Sequence, residues 1–352
     1  MDCSTDLKTD IMKRLFFIAA ALMFFCSCTK EDGFVNADGI TESVVYINLK
    51  SDGDTKASGT GHGVQADDNN IQTLEVFIFR VNEGGEDDGM LDGYRKFTGS
   101  ELADLTHLEV KTTIGKKMIY AVANSHRENW AGIMTRREFE GQIADLYDED
   151  VRNFTMIGGK EETLQLASSV PLSIKRLVAR VQLNSVVAAF DGTPYQGYKL
   201  EDVKAYLTNV QGQKYIFDGS GENLKLLNQK KYVEADMAGS TMQGILYEQL
   251  ASQIDDSGHL TPHYFYCYGN NRTEETETDR FTRLVIEGVL NGTTYYYPIA
   301  IKGLERNCCY SIDVKIQRPG SLDPDKDVEL GTLTVNLEIE GWNALPGTTV
   351  DF

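Results

Sequence analysis

Few residues in this 352-residue chain have the type and spacing from which chemistry could be built. Five histidines stand at His62, His107, His126, His259 and His263. The last two are four apart, which on a helix would bring two metal ligands to one face. Pro262 lies between them and the segment reads as strand, so that geometry fails and no metal is expected. Asp323, Asp325 and Asp327 alternate faintly like a calcium loop, but the glycine at position six and the bidentate glutamate at twelve are missing. They read as a solvated loop. Two carboxylates suffice for glycoside hydrolysis, yet among 53 acidic residues a pair carries no information. There is no nucleophile elbow, phosphate-binding loop or dinucleotide fingerprint. The residues therefore predict neither an enzyme nor a bound cofactor.

Cysteine chemistry is concentrated near the start. From Met12 the chain reads MKRLFFIAAALMFFCSC, with basic Lys13 and Arg14 followed by an apolar run of eleven residues, Leu15 to Phe25. A bilayer-spanning helix needs about 20 such residues, so this is a signal peptide. Residues 1–11 carry Asp2, Asp6 and Asp10, which suit a basic leader poorly and make Met12 the expected start. Ser27 before Cys28 resembles a bacterial lipobox, in which that cysteine is acylated and becomes the first residue; Phe25 and Cys26 depart from the strict pattern. Lys30-Glu31-Asp32 resembles the signal that sends Bacteroidetes lipoproteins to the outer face of the outer membrane. A diacylated Cys28 would be a strong anchor. The later cysteines, Cys267, Cys308 and Cys309, do not make a disulfide scaffold. Neighbours in a strand point to opposite faces, so at most one of Cys308 and Cys309 readily meets Cys267, and buried free thiols are expected.

The elements that carry these residues read as strands. Hydrophobic residues make up 41% of the chain and aromatic ones 10%, enough for packed cores, and Tyr and Phe set among Thr and Val favour sheet. The formal charge of −19 argues against a nucleic-acid surface and against docking on anionic lipid. Residues 29–42 are a polar tether. Ser43–Lys50 alternates, with Val45, Ile47 and Leu49 on one face, and is followed by an apolar-poor loop over 51–70. Ile71–Val81 is a strand and 82–93 a loop. Strands at 108–114 and 117–123 join at Gly115-Lys116. Thr135 and Glu138 form a capping box that predicts a helix with Phe139, Ile143, Leu146 and Tyr147 on one side. A long strand pair or one bent strand covers 170–187, and strands are expected at 198–210, 213–218, 262–268, 280–290 and 293–302. The last two form a hairpin over Asn291-Gly292. A short helix is expected within 240–254. Cys309–Gln317 and Leu330–Glu340 close the pattern, the latter with Leu333, Val335, Leu337 and Ile339 on one face. Many short strands with regular turns predict an all-β chain built from β-sandwiches.

Several segments resemble the fimbrillins, subunits of the type V pili of Bacteroidetes. These are Gly115-Lys116-Lys117-Met118-Ile119-Tyr120-Ala121-Val122-Ala123-Asn124, Phe154-Thr155-Met156-Ile157-Gly158-Gly159, and the run from Pro171 to Val181 containing Ile174, Arg176, Ala179 and Arg180. Near the end, Leu304-Glu305-Arg306-Asn307, Tyr310 and Pro319-Gly320 match in order, followed by a last strand and Trp342. Ile157 stands where the family has serine.

The resemblance implies two transthyretin-like β-sandwich domains with short helices in the connections. It divides the chain into a signal peptide with lipobox (1–28), a propeptide with a removable first strand (29–56), an N-terminal sandwich (57–175) and a C-terminal sandwich (176–352) ending in a donor strand. It implies export as a lipoprotein to the outer membrane surface, then cleavage by a trypsin-like Arg/Lys protease in the loop after the first strand. That strand, with Val45, Ile47 and Leu49, would leave, and the C-terminal strand of another subunit, with Leu333, Val335, Leu337 and Ile339, would fill its groove. Lys56-Ala57 aligns with the processing site and Lys50-Ser51 is the second choice. Removing 29–56 takes away three basic and six acidic residues, leaving −16. The expected product is a fimbrial shaft subunit that polymerises with copies of itself, with anchor and tip subunits as further partners and no nucleic acid. An alternative of another class is a monomeric surface lipoprotein that binds glycans through Tyr264, Tyr266, Tyr268, Tyr295, Tyr296 and Tyr297. Such tyrosines are more often core and cross-strand pairs.

Overall fold

A computed structural model of the chain describes residues 41–51, 70–127, 130–217, 224–237, 244–328 and 333–341. Nineteen strands dominate the described residues, as the alternating apolar pattern requires, and the helical residues among them are few, chiefly the five of Arg136–Glu140 and a piece at 244–246.

The first seven-stranded system has the order β3-β2-β5-β7-β8-β1-β4, where β1 is Glu42–Ser51, β2 Thr73–Arg80, β3 Leu91–Thr98, β4 Leu108–Thr113, β5 Gly115–Ala123, β7 Met156–Leu164 and β8 Ala167–Arg176. Strands β7 and β8 pair only at Met156↔Arg176 and Ile157↔Lys175, and there the system folds in two. Gly158 makes the fold possible, because a Cβ at that position would lie 1.8 Å from the Ser173 carbonyl oxygen. The two halves enclose one core, to which β1 supplies Val45, Ile47 and Leu49 and β2 supplies Leu74, Val76 and Ile78. The outer face of β2 and β5 is also apolar. Phe77, Phe79 and Tyr120 pack there on Phe139 of α1 (Arg136–Glu140), with ring centroids 4.4–5.4 Å apart.

A second sandwich follows. One sheet has the order β14-β10-β16-β17 and the other β15-β9-β18-β19. Their ranges are β9 Val178–Ala188, β10 Leu200–Thr208, β14 Tyr247–Ile254, β15 His263–Tyr268, β16 Thr282–Leu290, β17 Thr293–Ile301, β18 Cys308–Ile316 and β19 Leu333–Gly341. Asn291 and Gly292 both take positive φ, the twist that closes the β16–β17 hairpin tightly. Short ladders join β6 (Ile143–Asp145) to β12 (Gln213–Tyr215) and β11 (Val210–Gln211) to β13 (Leu226–Leu227).

Several sequence expectations need correction. The capping box at Thr135 forms, with Glu138 N–H donating to the Thr135 hydroxyl, but the helix stops at Glu140. Gly141 caps it, and Ile143 to Asp145 are claimed by the ladder with β12. The expected helix within 240–254 is seen at 244–246, but Tyr247–Ile254 is strand paired with β10, and its buried Leu250 and Ile254, four apart in sequence, imitate a helical period. Strand β3 overlaps the end of the expected 82–93 loop, because LDGYRKFT is an edge strand with little alternation. Strands β4 and β5 are consecutive in the chain but lie apart in the sheet order.

Candidate assembly site

Strand β1 alternates inward and outward because one face meets the core and the other meets solvent. Val45 and Ile47 are wholly buried, Leu49 is 5% exposed, and Ser43 donates from Oγ to the Gln165 carbonyl at 2.5 Å. The outward Tyr46 stacks on His107, centroids 4.2 Å apart. Strand β1 runs parallel to β8 from Val44↔Ala167 to Ser51↔Ile174, and β4 flanks its other side. It is therefore an interior strand. Taking it out would leave an apolar slot with unpaired backbone on both sides, a template for another strand.

Strand β19 is the opposite case. Among the described residues it has a single neighbour, β18, paired from Cys308↔Gly341 to Ile316↔Leu333. Leu337 is buried at 7% exposure, while Leu333, Val335 and Ile339 are half-buried against the core. Thr334, Asn336 and Glu338 face outward. Its apolar row repeats the period of β1 at an edge. The loop leading toward it is fastened down. Ser321 bridges Tyr296, and Asp325 accepts from Asn209 and pairs with Arg280 at 3.0 Å. Arg283, only 1% exposed, pairs with Glu275 and with Asp327. Asp325 is thus a buried anchor for arginine, which corrects the sequence reading at that position, whereas Asp327, 74% exposed, and Asp323, beside Lys326, keep the solvated character read from sequence.

The two protease candidates differ. Lys50 and Ser51 continue the β1 ladder, opposite Ser173 and Ile174. Lys56 and Ala57 lie outside the described residues, as does Cys28. Cys267, Cys308 and Cys309 are free thiols; burial pushes Cys267 up to about 12, and Arg180 Nε donates to Cys309 Sγ at 3.2 Å. Of the six tyrosines weighed for glycan stacking, Tyr266, Tyr268 and Tyr297 are buried. The Tyr268 hydroxyl donates to Glu149 and that of Tyr297 to the Arg318 carbonyl, so these rings are structural. His259 and His263 do come together, contrary to the reading from Pro262. Their Nε2 atoms are 2.7 Å apart, brought there by a turn and a sheet edge with no helix involved.

The residues that carry the resemblance act as pins. Asn124 has positive φ; its Oδ1 accepts from the Gln72 N–H, and its Nδ2 donates to the carbonyls of Asn70 and Phe154, tying the ends of β2, β5 and β7 together. Asn307, also at positive φ, donates its N–H to the Val178 carbonyl and accepts from Arg176. The Tyr310 hydroxyl accepts from Glu305 N–H at 2.7 Å and donates to the Gly303 carbonyl. Sequence reasoning missed the buried ionic cluster of Arg80, Asp92 and Lys117, because its members are separated in sequence. Asp92 pairs with Lys117 and with Arg80 at 2.8 Å each and accepts from Thr112 and Thr113. Burial alone would raise the Asp92 carboxyl, but these partners hold it well below the usual carboxylate range.

Comparison with known proteins converges on one kind of relative. Residues 43–176 match the family model described as Major fimbrial subunit protein (FimA). The chain is 24% identical over 310 residues to the major fimbrium subunit FimC of Porphyromonas gingivalis, covering 86% of this chain and 63% of that relative's length. In three dimensions it is similar to the crystal structure of a fimbrilin (FimA) from Porphyromonas gingivalis. The TM-score is 0.62 at 18% identity, over 87% of this chain and 99% of that one.

Proposed function

We propose, on the premise that residues 43–176 belong to the major fimbrial subunit (FimA) family, that this chain is a shaft subunit of a surface fimbria. In this reading Cys28 is acylated and the chain reaches the outer face of the outer membrane as a lipoprotein. A trypsin-like protease then cuts between Lys56 and Ala57. Strand β1 leaves with the propeptide, and β19 of a second subunit enters the slot between β8 and β4. Residues 57–175 form the accepting sandwich and 176–352 the donating one. A shaft subunit must both accept and donate, and both parts are present here; anchor and tip subunits would terminate the polymer.

The observation that carries the reading is the contrast between the two strands. An interior strand, β1, stands next to a candidate cleavage loop, and an edge strand with a matching apolar row, β19, ends the described chain. Burying a fully exposed apolar side chain contributes about 1.5–3 kcal/mol; Leu337 is already buried and Leu333, Val335 and Ile339 half-buried in their own sandwich, so transfer into a neighbour's slot gains only the remainder of that burial. Ordering and association entropy subtract several kcal/mol, yet a strand sealed into a sandwich leaves slowly. Cleavage at Lys56 is favoured over Lys50 because Lys50 and Ser51 lie in a ladder, whereas the composition around Lys56 reads as the kind of polar loop on which proteases act. The test is treatment of the purified chain with a Lys/Arg-specific protease. New material should begin at Ala57 and form heat-resistant polymers, and Lys50→Ala combined with Lys56→Ala should stay a lipidated monomer. Filaments built from that double variant would refute the reading.

A further inference from the structure

His259 and His263 stand together at one open edge of the second sandwich. His259 lies in the turn after β14, where its N–H donates to the Val186 carbonyl at 2.7 Å and its own carbonyl accepts from Val186 N–H at 2.9 Å. His263 opens β15, directly opposite Leu183. Leu183 and Val186 on β9 would normally point to opposite faces. The register shift beside Asn184 puts both into the core, and both histidines are thereby brought to one side. The rings stack 5.0 Å apart at 23°, and the Nε2 atoms, 2.7 Å apart, can share only one hydrogen. On the far side of His263, Nδ1 lies 3.9 Å from Glu248 Oε1, a carboxylate on β14 of the facing sheet.

We propose that His259 and His263 form a two-imidazole site for a borderline divalent cation such as zinc(II), with Glu248 as the carboxylate behind His263. A metal would take the place of the shared hydrogen. The imidazole that carries that hydrogen would hold it on Nδ1 instead, so that both Nε2 lone pairs face the ion and no net proton is lost. Two nitrogens bound to tetrahedral zinc at 2.0–2.1 Å lie roughly 3.3 Å apart. The pair therefore has to open by about 0.6 Å, which a half-exposed His259 on a turn can supply by ring rotation. Glu248, 3.9 Å from the second ring nitrogen, has to close by about 1 Å to hydrogen-bond there, as carboxylates commonly do to orient metal-binding histidines. Among the described residues no group of three or more His, Cys, Asp or Glu side chains is placed to hold a metal, so solvent completes the shell. Nitrogen donors favour zinc, copper(II) or nickel(II) over calcium or magnesium.

The test is titration of the purified full chain with zinc chloride against a chromogenic chelator. The expected result is one saturable zinc per chain, weakened about tenfold or more by His259→Ala, by His263→Ala and by Glu248→Gln. Titration of the unaltered chain with cobalt(II) needs no variant and should give the visible bands of a tetrahedral site. Absence of saturable zinc binding, absence of cobalt bands, or undiminished binding in a folded His259→Ala chain would overturn the proposal and leave an imidazole–imidazole hydrogen bond.

Discussion

Replacing Ile47 by alanine separates the precursor from the polymer. Ile47 is wholly buried in a core shared with Val45, Leu74, Val76, Ile119 and Leu172. Losing its outer carbons removes about 2 kcal/mol of transfer energy, and the cavity left between two sheets raises the cost to about 2–5 kcal/mol. The unprocessed chain should therefore unfold at clearly lower urea concentration, with an unchanged denaturant slope. If β1 is a temporary occupant, the same substitution should leave the processed filament as heat-resistant as wild type, because residue 47 is no longer in it. Assembly after cleavage should, if anything, be faster, since a weakened plug leaves more readily. Leu337→Ala is the mirror experiment: it should lower the temperature at which filaments dissociate. The paired assays are urea unfolding of the precursor and heat dissociation of filaments in detergent. Filaments weakened by Ile47→Ala as much as the precursor is, or unaffected by Leu337→Ala, would refute the reasoning.

Two further predictions concern the scaffold. Asp92→Asn leaves the buried Lys117 ammonium without its carboxylate and should cost about 3–5 kcal/mol at neutral pH by urea unfolding. Because the folded state holds the Asp92 carboxyl below its ordinary range, its stabilisation is present above pH about 4 and fades as pH falls toward the folded value. The gap between wild type and Asp92→Asn should accordingly narrow in acid, and a constant gap would contradict the assignment. Gly158→Ala places a Cβ against the Ser173 carbonyl, so β7 and β8 must part at their fold. A loss of about 1–3 kcal/mol or more is expected in thermal melting, and a neutral result would mean that the two strands do not approach as described.

Much of the fold was legible because alternation is a direct imprint of a face buried on a core. Val45, Ile47 and Leu49 of β1 and Leu333 to Ile339 of β19 show this clearly, as does the Asn291-Gly292 turn. Where reading failed, partners distant in sequence had decided the local structure. Residues 143–145 and 247–254 have helix-like spacing, but β12 and β10 take them as strands. The same cause hid the Arg80–Asp92–Lys117 cluster, the capture of Asp325 by Arg280 and Arg283, and the meeting of His259 with His263. The motif residues Asn124, Gly158, Asn307 and Tyr310 were visible as a pattern, but their work as backbone pins needs the coordinates. Nothing in the pattern of β1 alone distinguishes a strand that stays from one that leaves; its place between β8 and β4 means only that an empty slot would have a strand on each side.

A disulfide trap is the most direct measurement of that difference. Ser169, exposed on β8 opposite Tyr46, would become cysteine in a chain that also carries Thr334→Cys, Asn336→Cys or Glu338→Cys on the outward row of β19. If a neighbour's β19 replaces β1, at least one of the three pairs should give a reducible ladder of covalent oligomers after protease treatment and none before it. Filaments that form in all three variants without any cross-link between subunits would contradict the account.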